Sequence, residues 1–134
     1  MKVLALDFGP ARTGVAVSDP TGTVARPLGV VERAASDEGL ARLRELACAE
    51  GAERIVVGLP VTLRGTRGAQ AAETERFVEA LRAATDVQVE TFDERFTTRL
   101  AHAATPRRPR AAEDARAAAH LLTTYLEWLS ARRT

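Results

Sequence analysis

The stretch Leu4-Ala5-Leu6-Asp7-Phe8-Gly9-Pro10-Ala11-Arg12-Thr13-Gly14 decides how the rest of the chain is read. Its apolar run predicts a buried strand over residues 2–8, and that strand finishes on a carboxylate. Gly9-Pro10 supplies a turn, after which Arg12 to Ser18 (RTGVAVS) reads as a second strand. Asp19-Pro20-Thr21-Gly22 is the next turn. Thr23 to Val31 reads as a third strand, whose Pro27 favours a sheet edge because it cannot donate to a ladder. Three strands joined by short turns make an antiparallel meander.

Beyond the meander the period changes. Ser36-Asp37-Glu38 starts a helix with Leu40, Leu43 and Ala47 as its inward stripe, ending near Gly51. Arg54 to Gly58 (RIVVG) is a short apolar strand, and Pro60 to Gly68 a loop. Thr74, Phe77, Val78 and Leu81 recur at helical spacing, which predicts a second helix over Ala69 to Ala84. Val87 to Phe92 reads as the fifth strand. A proline-bearing segment, Thr105 to Arg110, precedes a long helix over Ala111 to Arg132. The order βββ-α-β-α-β-α predicts an α/β domain spanning residues 1–134. Its sheet should be five-stranded and mixed, three antiparallel strands followed by parallel ones, with helices on both faces.

Composition narrows the class. At 134 residues with 46% hydrophobic content, one core can form without staples. No apolar run approaches the ~18 residues of a membrane span, and residues 1–8 do not read as a signal peptide. The single cysteine, Cys48, has no partner for a disulfide and is expected to be a small buried residue of the first helix. A cytoplasmic protein without membrane contact is the expectation. The net charge of +1 announces no nucleic-acid binder, but the arginines cluster. Arg64 and Arg67 share a Gly-rich loop, Arg107, Arg108 and Arg110 stand together, and Arg132 and Arg133 lie near the end. Each group is a solvated surface or a phosphate contact.

Three places put a carboxylate where burial makes it costly. Asp7 ends the first strand, Asp93 and Glu94 follow the fifth, and Asp114 opens the last helix. Ala118, Leu121, Leu122 and Tyr125 share a helical face with Asp114, so it points toward the sheet. Each acid has an ordinary reading alone: a turn cap, a loop residue paired with Arg95, or a complement to a helix N-terminus. Together they converge on this topology. Converging carboxylates require a cation, and hard oxygen ligands suit Mg²⁺ or Mn²⁺. Such ions support in-line phosphodiester displacement. His102 and His120 stand apart, and no His/Cys spacing offers a zinc site.

Asp7-Phe8-Gly9 with Arg12 and Gly14, then Val17-Ser18-Asp19, resembles the opening of the YqgF/RuvX family. Val56-Val57-Gly58-Leu59-Pro60, then Gly65, Gly68 and Gln70, continue the match. Asp93-Glu94-Arg95-Phe96-Thr97-Thr98 and Asp114 with Ala117, Ala118, Leu121, Leu122 and Tyr125 complete it. Four ordered motifs over nearly the whole chain are far more specific than a lone DxG. The resemblance implies an RNase H-like fold and a nuclease maturing the small-subunit (pre-16S) ribosomal RNA precursor. It also implies kinship with Holliday junction resolvases, which extends the expected substrates to single-stranded and branched DNA. By motif, Asp7, Glu94 and Asp114 are the catalytic, metal-binding acids, with Asp93 beside them. Arg95, Thr97 and Thr98 position phosphate or hold the carboxylates, and Arg12 braces the site or the backbone it cuts. Thr62 and Arg64 stand where the family usually carries Asn and Asp, a departure that removes the basis for a third loop ligand or polar base contact there and leaves Arg64 and Arg67 as candidates for phosphate contact. Arg107, Arg108 and Arg110 keep the charge of the segment before the last helix.

Two rival classes stay open from the residues alone. One is a non-catalytic nucleic-acid-binding or ribosome-associated factor that keeps the fold. The other is an actin-like phosphotransferase, which the length disfavours because such enzymes enclose nucleotide with a second domain. The oligomeric state is monomer or homodimer, with Trp128 and Leu129 as candidates for a dimer face, although core packing is the expected role for both.

Overall fold

The structure, a computed structural model, describes residues 1–59, 69–93 and 110–132, the side chains of 69 and 110–112 excepted. Among these residues eight elements follow in the expected order: β1 (Val3–Asp7), β2 (Arg12–Ser18), β3 (Ala25–Glu32), α1 (Asp37–Glu50), β4 (Arg54–Leu59), α2 (Ala69–Ala84), β5 (Gln88–Asp93) and α3 (Arg110–Arg132). The strands form one sheet in the order β3-β2-β1-β4-β5. β1 runs antiparallel to β2 and parallel to β4, β2 antiparallel to β3, and β4 parallel to β5.

Position in the sheet follows from sequence. β1 and β4 are apolar and buried over residues 3–6 and 55–59, as strands covered on both faces must be, with only Asp7 and Arg54 at their ends partly exposed. β3 carries Pro27 and lies at an edge, where a bulge in its pairing with β2 passes between Pro27 and Gly29. β5 is the other edge. There Arg82 of α2 reaches over it, and its Nε and an Nη both donate to the Val89 carbonyl at 3.1 and 3.0 Å.

Two cores lie on opposite faces. Leu4, Leu6, Val15, Val17, Ile55, Val57 and Val89 face α1 and α2, meeting Leu43, Phe77 and Leu81. Val3, Ala5, Ala16, Val56 and Phe92 face α3, meeting Ala118, Leu121, Leu122 and Tyr125. The alternation along each strand sorts every side chain to one core or the other. Ser36 caps α1 by accepting from the Gly39 amide at 3.0 Å, and α1 ends at Gly51 in the left-handed conformation, φ 67°.

Asp19 is spent on its own turn. It accepts from the amides of Thr23 and Val24 at 2.8 and 2.9 Å and from the Thr21 hydroxyl. These bonds, the one from Thr21 first, hold its carboxyl well below the usual range. Cys48 departs from expectation: it is exposed, because α1 presents Leu43 and Ala47 to the sheet and turns position 48 toward solvent. Among the described residues no helix is long and apolar enough to cross a membrane.

Candidate functional site

The site is built where β1 ends. Leu6 and Phe8 both sink into the core under α1 and α2, and Phe8 stacks on Phe77 with ring centroids 4.4 Å apart. A residue held between two such neighbours alternates to the other face. Asp7 is therefore turned toward α3, on the face of Val3 and Ala5, and is partly exposed.

α3 delivers the second acid to the same place. Asp7 pairs across the antiparallel ladder with Gly14 of β2. A Cβ on Gly14 would lie 1.9 Å from the Asp114 carbonyl oxygen and 2.4 Å from its carbon, so the helix backbone occupies the space a side chain would need. Glycine at this position is what lets α3 descend onto β2 beside Asp7. Gly14 thus has a structural role that motif matching alone does not reveal. The available signal is a glycine inside a strand, which marks a close backbone approach. Gly9 serves the turn itself, since a Cβ there would meet the Arg12 carbonyl oxygen at 2.5 Å.

Arg12, Gly14 and Ala16 share the α3 face of β2, and Arg12 uses that placement. Its Nε lies 3.1 Å from Oδ2 of Asp114, with side chains 32% and 33% exposed. That Oδ2 atom is itself buried and, among the described residues, accepts no aligned hydrogen bond. A buried carboxylate oxygen with an unused lone pair is an unfinished site. Asp7 and Asp114 are hard oxygen donors on one face, which fits a Mg²⁺-type ion held by one or two carboxylates. Among the described residues no group of three His, Cys, Asp or Glu side chains gathers to hold a metal.

The other expected residues divide. Asp93 ends β5 next to Phe92, and alternation sends it to the face away from Asp7. Glu94, Arg95, Thr97, Thr98, Arg64, Arg67, Arg107 and Arg108 lie outside the described residues, as does the side chain of Arg110. Trp128 corrects the expectation of core packing: at 36% exposure it sits at the rim. Its ring meets Phe92 and Tyr125 at centroid distances of 5.5 and 6.1 Å, and Arg132 lies over it at 4.7 Å.

Farther along α3 lies a second polar cluster, bonded throughout except at Arg54 Nε, which is buried and has no hydrogen-bond partner among the described residues. Arg54 Nη1 donates to the Tyr125 hydroxyl at 2.8 Å, and that hydroxyl donates to Glu90. Arg54 and Glu90 approach to 3.5 Å. Burial, then the bond to Glu90, raises the Tyr125 phenol above its usual range, while the bond that Arg54 donates to Tyr125 raises the Arg54 guanidinium.

The family described as RuvX, Holliday junction resolvase, matches residues 1–128. A protein of Rubrobacter xylanophilus is 44% identical over 131 residues, covering 94% of this chain and 92% of its own. One from Syntrophomonas wolfei is 35% identical over 133 residues, covering 95% and 94%. A third, from Chloroflexus aggregans, is 44% identical over 96 residues, covering 72% and 68%. All three are provisionally named pre-16S rRNA nucleases. Thermus thermophilus RuvC bound to a Holliday junction substrate superposes with a TM-score of 0.60 at 22% identity, covering 94% of this chain and 93% of that one. RuvC determined separately gives 0.59. At that identity the likeness speaks for the fold, which is RNase H-like.

Proposed function

The chain belongs to the RuvX family, and from that premise we propose a divalent-metal-dependent nuclease whose reaction centre lies where Asp7 and Asp114 meet. It is a hydrolase of phosphodiester bonds. The observation that carries the site assignment is the seating of Asp114 on Gly14, the cross-strand partner of Asp7, with a buried Oδ2 left without an aligned hydrogen bond.

In this reading Asp7 and Asp114 hold the ion, Mg²⁺ or Mn²⁺, and Glu94 completes the acidic set. The alternation that places Glu90 and Phe92 toward α3 supports Glu94 over Asp93 as that third acid. A bound ion supplies an activated water and charge neutralisation at the phosphate. The protein's share is orientation: the rigid end of β1 fixes one carboxylate and the helix on Gly14 fixes the other. Arg64, Arg67, Arg95, Thr97, Thr98, Arg107, Arg108 and Arg110 are assigned to the nucleic-acid backbone, where arginines suit phosphate. Pre-16S ribosomal RNA is the substrate named for the relatives, so it is the first to test, and the work is assigned to the cytoplasm.

The test is a cleavage assay on precursor ribosomal RNA, single-stranded DNA and a four-way junction, with Mg²⁺, Mn²⁺ or chelator. Cleavage should require metal, and Asp7→Asn should lower it by about 10³-fold or more. Undiminished cleavage in chelator, or by purified Asp7→Asn, overturns the mechanism. Metal-independent binding without cleavage by the unmodified chain establishes a non-catalytic factor instead.

A further inference from the structure

Arg12 stands in the acidic centre, and its contact there is with a carboxylate. It lies on the α3 face of β2, two positions before the glycine on which Asp114 rests, and its Nε is 3.1 Å from Asp114 Oδ2. The backbones on both sides of this pair are fixed. The Arg33 amide donates to the Ala11 carbonyl at 3.0 Å next to Arg12, and α3 is seated on Gly14 next to Asp114. Only the side chains can rearrange. The pair is close but not aligned as a hydrogen bond, and both side chains are about a third exposed. Such a pair is weakly held, and the oxygen it covers is one that the proposed metal site requires.

We propose that Arg12 is the resident cation of the acidic centre: it neutralises and orients Asp114 while no divalent ion is bound, and it yields Oδ2 to that ion. Arg12 is then a positioning residue that sets metal affinity. The inference rests on the metal-dependent reading above. It differs from a phosphate-binding role because its effect is present without nucleic acid. A divalent ion offers two charges where the guanidinium offers one, so exchange favours the ion without any movement of strand or helix. Once released, the guanidinium remains at the edge of the site.

The test uses the full chain without nucleic acid. Calorimetric titration with Mn²⁺ should show Arg12→Gln binding about two- to fivefold tighter than the unmodified protein, the range set by loss of a partly exposed ion pair. Arg12→Lys, which keeps the charge, should return affinity toward the original value. Thermal unfolding in chelator should show Arg12→Gln less stable, and that difference should vanish in an Asp114→Asn background. In the unmodified protein, the Arg12 side-chain Nε resonance should shift on Mg²⁺ saturation, a readout that needs no variant to fold. Unchanged or weaker Mn²⁺ binding in Arg12→Gln overturns the proposal, as does a stationary Nε resonance in protein that binds the ion. If the unmodified chain binds no Mn²⁺ at all, the metal reading itself fails and the exchange falls with it.

Discussion

Two of the polar contacts that tie helix α3 to the sheet differ in kind. At Tyr125 the hydroxyl receives from Arg54 and gives to Glu90, inside a side chain only 1% exposed. At Asp114 a carboxylate oxygen is buried against Arg12 yet accepts no aligned bond among the described residues. Arg54 Nε is likewise buried without a partner among these residues, but it is a donor inside a bonded cluster, whereas the bare atom at Asp114 is an acceptor that a cation can use. The first tie belongs to the fold and the second to the chemistry.

That contrast can be broken most strongly at Gly14. Gly14→Ala puts a Cβ 1.9 Å from the Asp114 carbonyl, a backbone atom that can yield only if the helix shifts. We expect about 3 kcal/mol of lost stability by denaturant unfolding, from overpacking. Because the shift carries Asp114 away from Asp7, cleavage by the folded fraction should also fall by about 10²-fold. Retained activity with lost stability would separate the glycine from the site.

Tyr125→Phe probes the other tie. Removing the hydroxyl leaves Arg54 and Glu90 to each other and should cost about 1–2 kcal/mol in denaturant unfolding. Cleavage by the folded protein should stay within about twofold, since the tie lies remote from the acids. A large loss of cleavage would mean that the two ties act as one.

The smallest effect is a titration. Burial and the bond to Glu90 hold the Tyr125 proton beyond the ordinary phenol value of 10.0. Stability from this group is therefore complete below about pH 10 and is lost as pH rises through the folded-state value. With one tyrosine in the chain, tyrosinate absorbance reports it directly. The folded protein should titrate later than the unfolded one, and coincident curves would remove the network's claim to tightness.

The elements were legible in sequence because period and punctuation agreed. β2 at Arg12–Ser18 and α2 at Ala69–Ala84 match the expected bounds, and Ser36 caps α1 where the capping residue predicted. β1, β3, β4 and β5 shift by a residue or two at their ends, where pairing partners rather than local preference set the limit. Asp7 was legible as a strand-end acid, and Asp114 as an inward-facing one from helical spacing. The Arg12–Asp114 pair was not, because a long side chain's partner depends on which helix crosses which strand. Nor was the seat on Gly14, which needs a tertiary contact to acquire meaning. Cys48 went wrong for a related reason: an apolar neighbourhood in sequence does not say which side of a helix a position occupies.

The fork of Arg82 over the Val89 carbonyl bears on association between copies of this chain. β5 is an open sheet border, and such borders recruit neighbouring strands. With one of its outward acceptors already claimed twice, strand-to-strand joining at that border would first have to evict a guanidinium. The guanidinium thereby blunts strand addition at that point of the border.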